Sequence, residues 1–281
     1  MKPVHKKKNA PVKALIFVIF VLFSVVQLYP LVFLFFMSLK DNNEIFGGNI
    51  AGLPQNWHWE NYESAFRDGN IGLYLFNSVF VTFTTILFTI ILASMVAYAI
   101  TRMKLRSNRF VKTYFSLGMM IPLHAVLLPV FIILRDLKML STYQALIIPY
   151  VAFALPLAIY VLSNFFASLP IELEESACLD GCGLFRAFVQ IILPLITPAI
   201  ATVSIFTFLS TWNEMMFAIT YVSKNQFRTL TVGIMQMVGQ YTTNWGGLAA
   251  GLVVATIPTI LMYLLMSNQI ESGMVAGAVK G

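Results

Sequence analysis

Residues 69–101 read GNIGLYLFNSVFVTFTTILFTIILASMVAYAIT, a stretch without a single Asp, Glu, Lys or Arg. A helix needs about 20 predominantly apolar residues to cross the hydrocarbon core of a bilayer. Hydrocarbon offers no hydrogen-bond partner to a backbone N–H or C=O, so a helix that satisfies these groups internally is the expected structure. This stretch therefore predicts a transmembrane helix, and with it an integral membrane protein.

Further charge-free stretches raise the predicted number of transmembrane helices to about six. They are residues 14–39, 113–134, 139–171, 187–213 and 229–270. The last stretch is long enough for two helices, but its first half holds Gln236, Gln240 and Asn244, so we expect only residues 246–266 to span. Charged residues make up 11% of the 281-residue chain, against about 25% in soluble domains. The predicted fold class is an all-α integral membrane protein.

The basic residues predict the orientation of these helices. Lys2, Lys6, Lys7, Lys8 and Lys13 precede the first helix, and Arg102, Lys104, Arg106, Arg109 and Lys112 fill the link between the second and third. Short segments rich in Lys and Arg remain in the cytoplasm. Twelve of the 18 basic residues then lie on the side of the N-terminus, and both termini are predicted to be cytoplasmic. We interpret these clusters as topology signals and expect no nucleic-acid partner.

The orientation divides the chain into five segments. They are a cytoplasmic basic N-terminus (1–13), transmembrane helix 1 (14–39), an extracytoplasmic loop (40–70), a core with five transmembrane helices (71–270) and a cytoplasmic C-terminal tail (271–281). The first apolar run is too long for a signal peptide, and no Ala-x-Ala-like cleavage site precedes Lys40. We therefore expect this run to remain as a helix.

The loop between helices four and five, residues 169–186, is predicted to be cytoplasmic although it is acidic. Pro170 suits the first position of a helix, acidic side chains favour the first turn, and Gly181 suits a left-handed stop. Such a helix of roughly ten residues is marginal in water and needs a surface to pack on. Two alternatives follow. The helix could lie on its own bundle through Leu173, Ala177 and Cys178, or it could be offered to a cytoplasmic partner.

A family resemblance centres on the same loop. Glu175-Ser176-Ala177, three residues, Gly181, nine residues and Ile191-Ile192-Leu193-Pro194 resemble the EAA signature of ABC importer permeases, E-A-A-x3-G-x9-I-x-L-P. Ser176 stands where the family usually has Ala. The resemblance implies a cytoplasmic coupling helix over residues 170–181 that inserts into a cleft of an ATPase subunit. Carried over by position, the residues at that contact are Glu172, Glu175, Ala177, Asp180 and Gly181.

The resemblance extends along the chain from about Leu15 to the last residue. Asn77-Ser78, Ala97-Tyr98-Ala99, Ile121-Pro122, Trp212-Asn213-Glu214 and the Gly-Ala-Val-Lys-Gly ending are similar to the carbohydrate branch, specifically the shorter permease of maltose-type systems. This implies one half of the translocation pore of a binding-protein-dependent, ATP-driven importer in a bacterial or archaeal cell membrane, with an oligosaccharide as the expected substrate. The implied partners are a cytoplasmic ATPase dimer, a second homologous permease, an extracytoplasmic solute-binding protein and membrane lipid.

The sequence lacks the motifs of several other classes of protein. No G-x-x-x-x-G-K-[S/T] occurs, so we expect no cofactor in this chain and ATP to be bound by the partner subunits. The three histidines are scattered, and Cys178 with Cys182 falls short of a four-ligand zinc site, so neither an enzyme nor a metal site is predicted. The main alternative function is a secondary transporter driven by an ion gradient. That class usually carries carboxylates within its spans, and the charge-free stretches have none.

Neutral polar residues are candidates for the substrate pathway. Asn77, His124, Asn164 and Asn213 fall in or beside the predicted spans and could hydrogen-bond a hydroxyl-rich ligand. Hydrogen bonding between helices explains the asparagines equally well. A packed His124 beside Pro122 is the favoured interpretation of that histidine.

Overall fold

The computed structural model describes residues 10–103, 105–239 and 242–278, with side chains described from residue 12 to residue 266 apart from the same gaps. Most of the predicted N-terminal segment 1–13 and the last three residues of the predicted tail lie outside the described residues. Within them the structure consists of helices and connecting turns, and it contains no strand. The predicted all-α class is confirmed.

The α-helices are numbered in chain order. They are α1 (Ala10–Met37), α2 (Asn42–Phe46), α3 (Glu60–Arg67), α4 (Ile71–Arg102), α5 (Asn108–Gly118), α6 (Leu127–Asp136), α7 (Gln144–Ser168), α8 (Glu172–Leu179), α9 (Leu184–Ala187), α10 (Leu193–Leu195), α11 (Thr197–Trp212), α12 (Met216–Tyr221), α13 (Leu230–Gln236) and α14 (Trp245–Ala278). Short 3₁₀ turns cover Leu123–Val126 and Asn225–Phe227, and a π-helical turn covers Phe188–Ile192.

Four of the described helices, α1, α4, α7 and α14, are long and apolar enough to cross a membrane. Two further candidates are bent pairs, Asn108–Gly118 with Leu123–Asp136 at 95° and Leu184–Leu195 with Thr197–Trp212 at 75°. Counting each bent pair as one span gives the predicted six. Two details differ from the sequence prediction. Spans three and five are broken, and α14 continues as helix beyond residue 266, where the predicted span ends.

The break in the third span follows from Pro122. A residue that precedes proline disfavours helical backbone angles, and Pro122 itself has extended angles, φ −64° and ψ 120°. The helix therefore ends at Gly118 and the chain resumes in the 3₁₀ turn Leu123–Val126. His124 lies in this turn. It lies at the break in the third span and its side chain is exposed, which corrects the interpretation of a packed His124.

The break in the fifth span lies between two prolines. Pro198 has no N–H to donate to the carbonyl of Pro194, which removes one helical hydrogen bond. The hydroxyl of Thr197 donates to that carbonyl instead, at 2.6 Å. Ile196, between α10 and α11, has non-helical angles of φ −95° and ψ 13°.

The chain divides into two compact units, and the first comprises residues 1–69 and 236–254. In this unit the segment after α1 is organised around Lys40, whose side chain is 0% exposed. The ammonium group donates to the carbonyls of Asn49 at 2.6 Å, Ile50 at 3.3 Å and Gly52 at 2.7 Å. Asn61 in α3 donates to the carbonyl of Lys40 at 2.9 Å. These bonds fold the segment after α1 into a defined cap.

The second unit comprises residues 70–235 and 255–281. Its first core cluster lies where α4 and α7 meet the segment 187–203, around Tyr98, Phe166 and Phe188. Its second cluster is formed around Tyr150, Phe217 and Tyr221, residues of α7 and α12. Buried alanines, among them Ala93, Ala97 and Ala158, allow the helix backbones to approach closely.

Candidate functional site

Helix α8 occupies the loop that carries the family resemblance. It has eight residues and begins after Ile171 as N-cap, so Pro170 precedes the cap and does not occupy the predicted first helical position. The helix ends at Leu179, and Gly181, two residues later, has a φ of +77°. The N–H of Gly181 donates to the carbonyl of Cys178 at 3.0 Å, and that of Cys182 to the carbonyl of Ala177 at 2.9 Å. This is the Schellman pair of bonds, and the predicted left-handed stop is confirmed.

The inner face of α8 is fixed to the end of α4. Leu173 packs against the core around Tyr98, and Ala177 is buried. The Glu174 carboxylate pairs with the Arg102 guanidinium at 3.2 Å, and their side chains are only 15% and 8% exposed. The hydroxyl of Tyr98 donates to Glu174 at 3.3 Å, and Arg102 donates to the carbonyl of Leu169 at 2.7 Å. These contacts connect α8 to the end of α4. Removing one member of the buried pair would leave the other charge uncompensated.

The outer face of α8 combines acids with exposed apolar side chains. Glu172, Glu175 and Asp180 are exposed. Leu179, the last residue of α8, is 89% exposed, and Phe185, in the following helix α9, is 76% exposed. Exposed apolar groups rimmed by charge are typical of a protein interface. The inner face packs on the chain itself, as the first alternative predicted, and the outer face is exposed.

The structure separates the residues predicted at the partner contact. Glu172, Glu175, Asp180 and Gly181 lie at the surface. Ala177 is 4% exposed and packs inside the chain, so its predicted position at the contact is corrected to a packing role. Cys178, predicted on the inner apolar stripe, is exposed. Sequence reasoning missed Leu179 and Phe185, although bulky apolar residues in a polar loop were the available signal.

A cavity of 340 Å³ lies in the second unit, beside the break that follows α5 and beside the junction between α11 and α12. Its lining comes from the end of α5 and the following turn, from α7, and from α11 to α12. Its polar and aromatic lining consists of Tyr150, Phe153, Ser210, Thr211, Glu214 and Phe217. Glu214 receives hydrogen bonds from the hydroxyl of Tyr150 and from the backbone N–H groups of Phe217 and Ala218.

Asn77, a predicted pathway residue, is withdrawn from that role. Its side chain is 0% exposed. Its amide donates to the carbonyls of Gln226 at 3.0 Å and Arg228 at 2.8 Å, and its oxygen accepts from the hydroxyl of Tyr143 at 2.7 Å. Both donors are used internally, so Asn77 ties α4 to the segment that follows α12.

The other predicted pathway residues are exposed but do not line the cavity. The His124 ring stacks near Phe217, with ring centroids 6.4 Å apart. Asn164 lies on α7. Asn213 donates to the carbonyl of Leu209 at 2.8 Å, one helical turn back. The lining residue beside Asn213 is Glu214, which the sequence placed only at a helix end.

The fold and these two sites define a multi-pass helical membrane protein of the transport-subunit class. It has interrupted spans, a cavity and a short helix that is anchored to the end of α4. The chain belongs to the family of binding-protein-dependent transport system inner membrane components, whose family model matches residues 89–276. The resemblance drawn from the EAA-like signature is confirmed.

Several curated relatives match nearly the whole chain. It is 36% identical to the probable ABC transporter permease protein YurM of Bacillus subtilis, over 95% of this chain and 88% of that protein. It is 34% identical to the trehalose transport system permease protein SugB of Mycobacterium tuberculosis, over 90% and 93% of the two chains. It is 33% identical to the diacetylchitobiose uptake system permease protein NgcG of Streptomyces coelicolor, over 92% and 86%.

A solved structure has the same fold. The crystal structure of a bacterial ABC transporter involved in the import of the acidic polysaccharide alginate contains a chain that superimposes with a TM-score of 0.82. The match covers 95% of this chain and 99% of that one at 22% identity. At this identity the likeness concerns the fold alone.

Proposed function

We propose that this chain is one of two permease subunits of an ATP-driven, binding-protein-dependent sugar importer and forms half of its translocation pore. The observation that carries the proposal is α8, a short helix fixed on its inner face by the Arg102–Glu174 pair and exposed on its outer face. The names of the relatives support a sugar, since those of SugB and NgcG specify trehalose and diacetylchitobiose. An oligosaccharide is the substrate class we assign.

Coupling to ATP hydrolysis proceeds through α8. Leu179 and Phe185 enter an apolar cleft of the ATPase subunit, while Glu175 and Asp180 pair with basic groups at its rim. Movement of the ATPase then displaces α8, and the buried ion pair passes this displacement to the end of α4. ATP is bound by the ATPase dimer, and this chain holds no cofactor.

The proposed orientation places both termini and α8 in the cytoplasm of a bacterium or archaeon. The outward surfaces for the solute-binding protein are residues 57–68 and 236–245, which belong to the same unit; Gln240 and Tyr241 lie outside the described residues. Trp57, Trp59 and Tyr62 support this assignment, because their rings stack at 6.3 and 6.2 Å and both tryptophans are more than half exposed. Among the predicted pathway residues, the exposed His124, Asn164 and Asn213 remain candidates for substrate contact.

The experiment that tests the proposal uses Glu175→Lys and Gly181→Val in the complete import system. Lysine reverses the charge offered to the ATPase, and valine is strained at the positive φ of Gly181. We expect membrane insertion to persist while sugar uptake falls about tenfold or more, the factor that corresponds to 1.4 kcal/mol. Co-purification of the ATPase separates loss of docking from loss of coupling.

The matched control is Glu60→Lys, a charge reversal at an exposed residue of α3. It should leave ATPase attachment unchanged. Uptake at the normal rate by the Glu175 and Gly181 variants, with the ATPase still bound, would show that α8 is not the coupling helix. Uptake that persists without the ATPase but stops when the proton gradient collapses would select the secondary transporter.

A further inference from the structure

The cavity beside the break in the third span and the junction between α11 and α12 has the chemistry of a ligand site. Its volume of 340 Å³ lies within the roughly 300–1,000 Å³ of small-molecule pockets, which are mostly apolar with a few polar groups. Phe153 and Phe217 lie against each other in its wall, with ring centroids 5.5 Å apart. Ser210 and Thr211 supply hydroxyls. In many membrane transporters, substrate sites lie where helices are discontinuous. Residues of the break in the third span and of the junction between α11 and α12 line this cavity.

Glu214 gives this cavity its charge. Glu214 is half-buried. Among the described residues that line the cavity it is the one carboxylic acid, and none of these residues is Lys, Arg or His. Phe217 N–H donates to one carboxylate oxygen at 2.8 Å, and the Tyr150 hydroxyl and the Ala218 N–H donate to the other. An ionised carboxylate can accept at about four positions. The three internal bonds fix its orientation and leave acceptor capacity for a ligand hydroxyl.

We infer that this cavity is a sugar-binding site that accepts uncharged sugar units and rejects sugars bearing carboxylate or sulfate. Glu214 is the residue that determines this specificity. The inference rests on the proposed function and adds the charge class of the substrate. A hydroxyl can donate to the carboxylate, whereas an anionic sugar has no proton to donate at its charged group. Two like charges brought together in a site of reduced dielectric repel each other strongly, and neutralising cations are absent from the described lining.

The test measures binding directly, because a binding protein would impose its own selectivity on uptake. The full-length chain in lipid nanodiscs is titrated with maltotriose and with trigalacturonate, a neutral and an acidic trisaccharide, using saturation-transfer NMR. We expect wild type to prefer maltotriose by about tenfold or more, and Glu214→Gln to reduce this preference to about threefold or less, a change of the size that one like-charge contact supplies. Asp136→Asn, at an exposed acid at the end of α6, is the matched control and should leave the preference unchanged.

A second variant keeps the inference testable if Glu214→Gln folds poorly. Ser210→Asp adds a carboxylate to the same wall and should increase the preference for maltotriose by about threefold or more. An unchanged ratio in either folded variant, equal binding of both sugars by wild type, or binding of neither sugar would overturn the inference. A chain that couples ATP hydrolysis to sugar uptake without this discrimination would overturn only the charge class. A chain that discriminates but never docks an ATPase would overturn the coupling function.

Discussion

Two regions of this protein hold a short segment in place with a buried basic residue, and they do so differently. In the unit of residues 1–69 and 236–254, Lys40 donates to backbone carbonyls of the segment 49–52, which follows soon after it in sequence. At α8, Arg102 pairs with the carboxylate of Glu174, which is distant in sequence. Backbone carbonyls fix the shape of a local loop. A side-chain ion pair instead joins two helices that can move as one body, which suits a segment that transmits force.

The largest expected contrast between the two regions is their side of the membrane. In a background with Cys178→Ala and Cys182→Ala, we introduce Leu53→Cys in the first region or Ser107→Cys beside the end of α4, both at exposed positions. An impermeant maleimide added to intact cells should label Leu53→Cys fully and Ser107→Cys only after lysis, because we expect the basic segment around Ser107 to remain in the cytoplasm. Labelling of Ser107→Cys in intact cells would reverse the topology.

Lys40→Ala tests the backbone-carbonyl type of anchor. It leaves three carbonyls without their donor at a position that is fully buried, and each such group costs about 1–3 kcal/mol. We expect the segment 47–56 to lose about 4 kcal/mol of local stability, measured as faster amide hydrogen exchange. Lys224→Ala, at an exposed lysine, is the control. Unchanged exchange in Lys40→Ala would show that the carbonyls are satisfied by other groups.

The two anchors also show what sequence could and could not predict. Six spans were predictable because charge is excluded from hydrocarbon over any stretch that crosses it. The end of α8 was predictable because Gly181 tolerates a positive φ. The inward turn of Glu174 had a weaker signal, its i, i+3 spacing from the apolar Ala177. Lys40 had no signal, since lysine is almost never fully buried unless paired and its partners are carbonyls that sequence cannot distinguish.

The candidate cavity was the least predictable part. Proline positions indicated where spans could bend, but the angles of 95° and 75° depend on how neighbouring helices pack. Asn77 was predicted in the substrate pathway and Glu214 was not. Burial decides whether a polar group is used internally or faces a ligand. The asparagine in the span is a structural tie, and the glutamate between α11 and α12 lines the cavity.

Glu174→Ala tests the ion-pair type of anchor. Arg102 would keep its bond to the carbonyl of Leu169 but lose its carboxylate partner. For a buried pair, the expected loss is about 3 kcal/mol, measured as lower thermal stability together with reduced sugar-stimulated ATP hydrolysis. The double variant Arg102→Glu with Glu174→Arg should be less destabilised than the sum of the two single reversals. Strict additivity would mean that the pair contributes no interaction energy.

The smallest effect sharpens the comparison most, because each region ends a helix with a glycine of positive φ. Gly48 follows α2 with φ +104°, Gly181 follows α8 with φ +77°, and a Cβ added at either position meets no atom within 4 Å. Substitution by alanine therefore introduces backbone strain without a clash, costing on the order of 1 kcal/mol at each site. In thermal unfolding of the purified chain, Gly48→Ala and Gly181→Ala should lower the midpoint by similar small amounts.

In the assembled importer the two variants should differ, since only Gly181 sets the angle at which α8 meets the ATPase. We expect Gly181→Ala to reduce sugar uptake per ATP hydrolysed by about twofold to fivefold, the factor that 0.5–1 kcal/mol represents, while Gly48→Ala leaves this ratio unchanged. If both variants reduce the ratio equally, the strain acts through general stability, and the distinction between a loop-shaping anchor and a force-transmitting anchor fails.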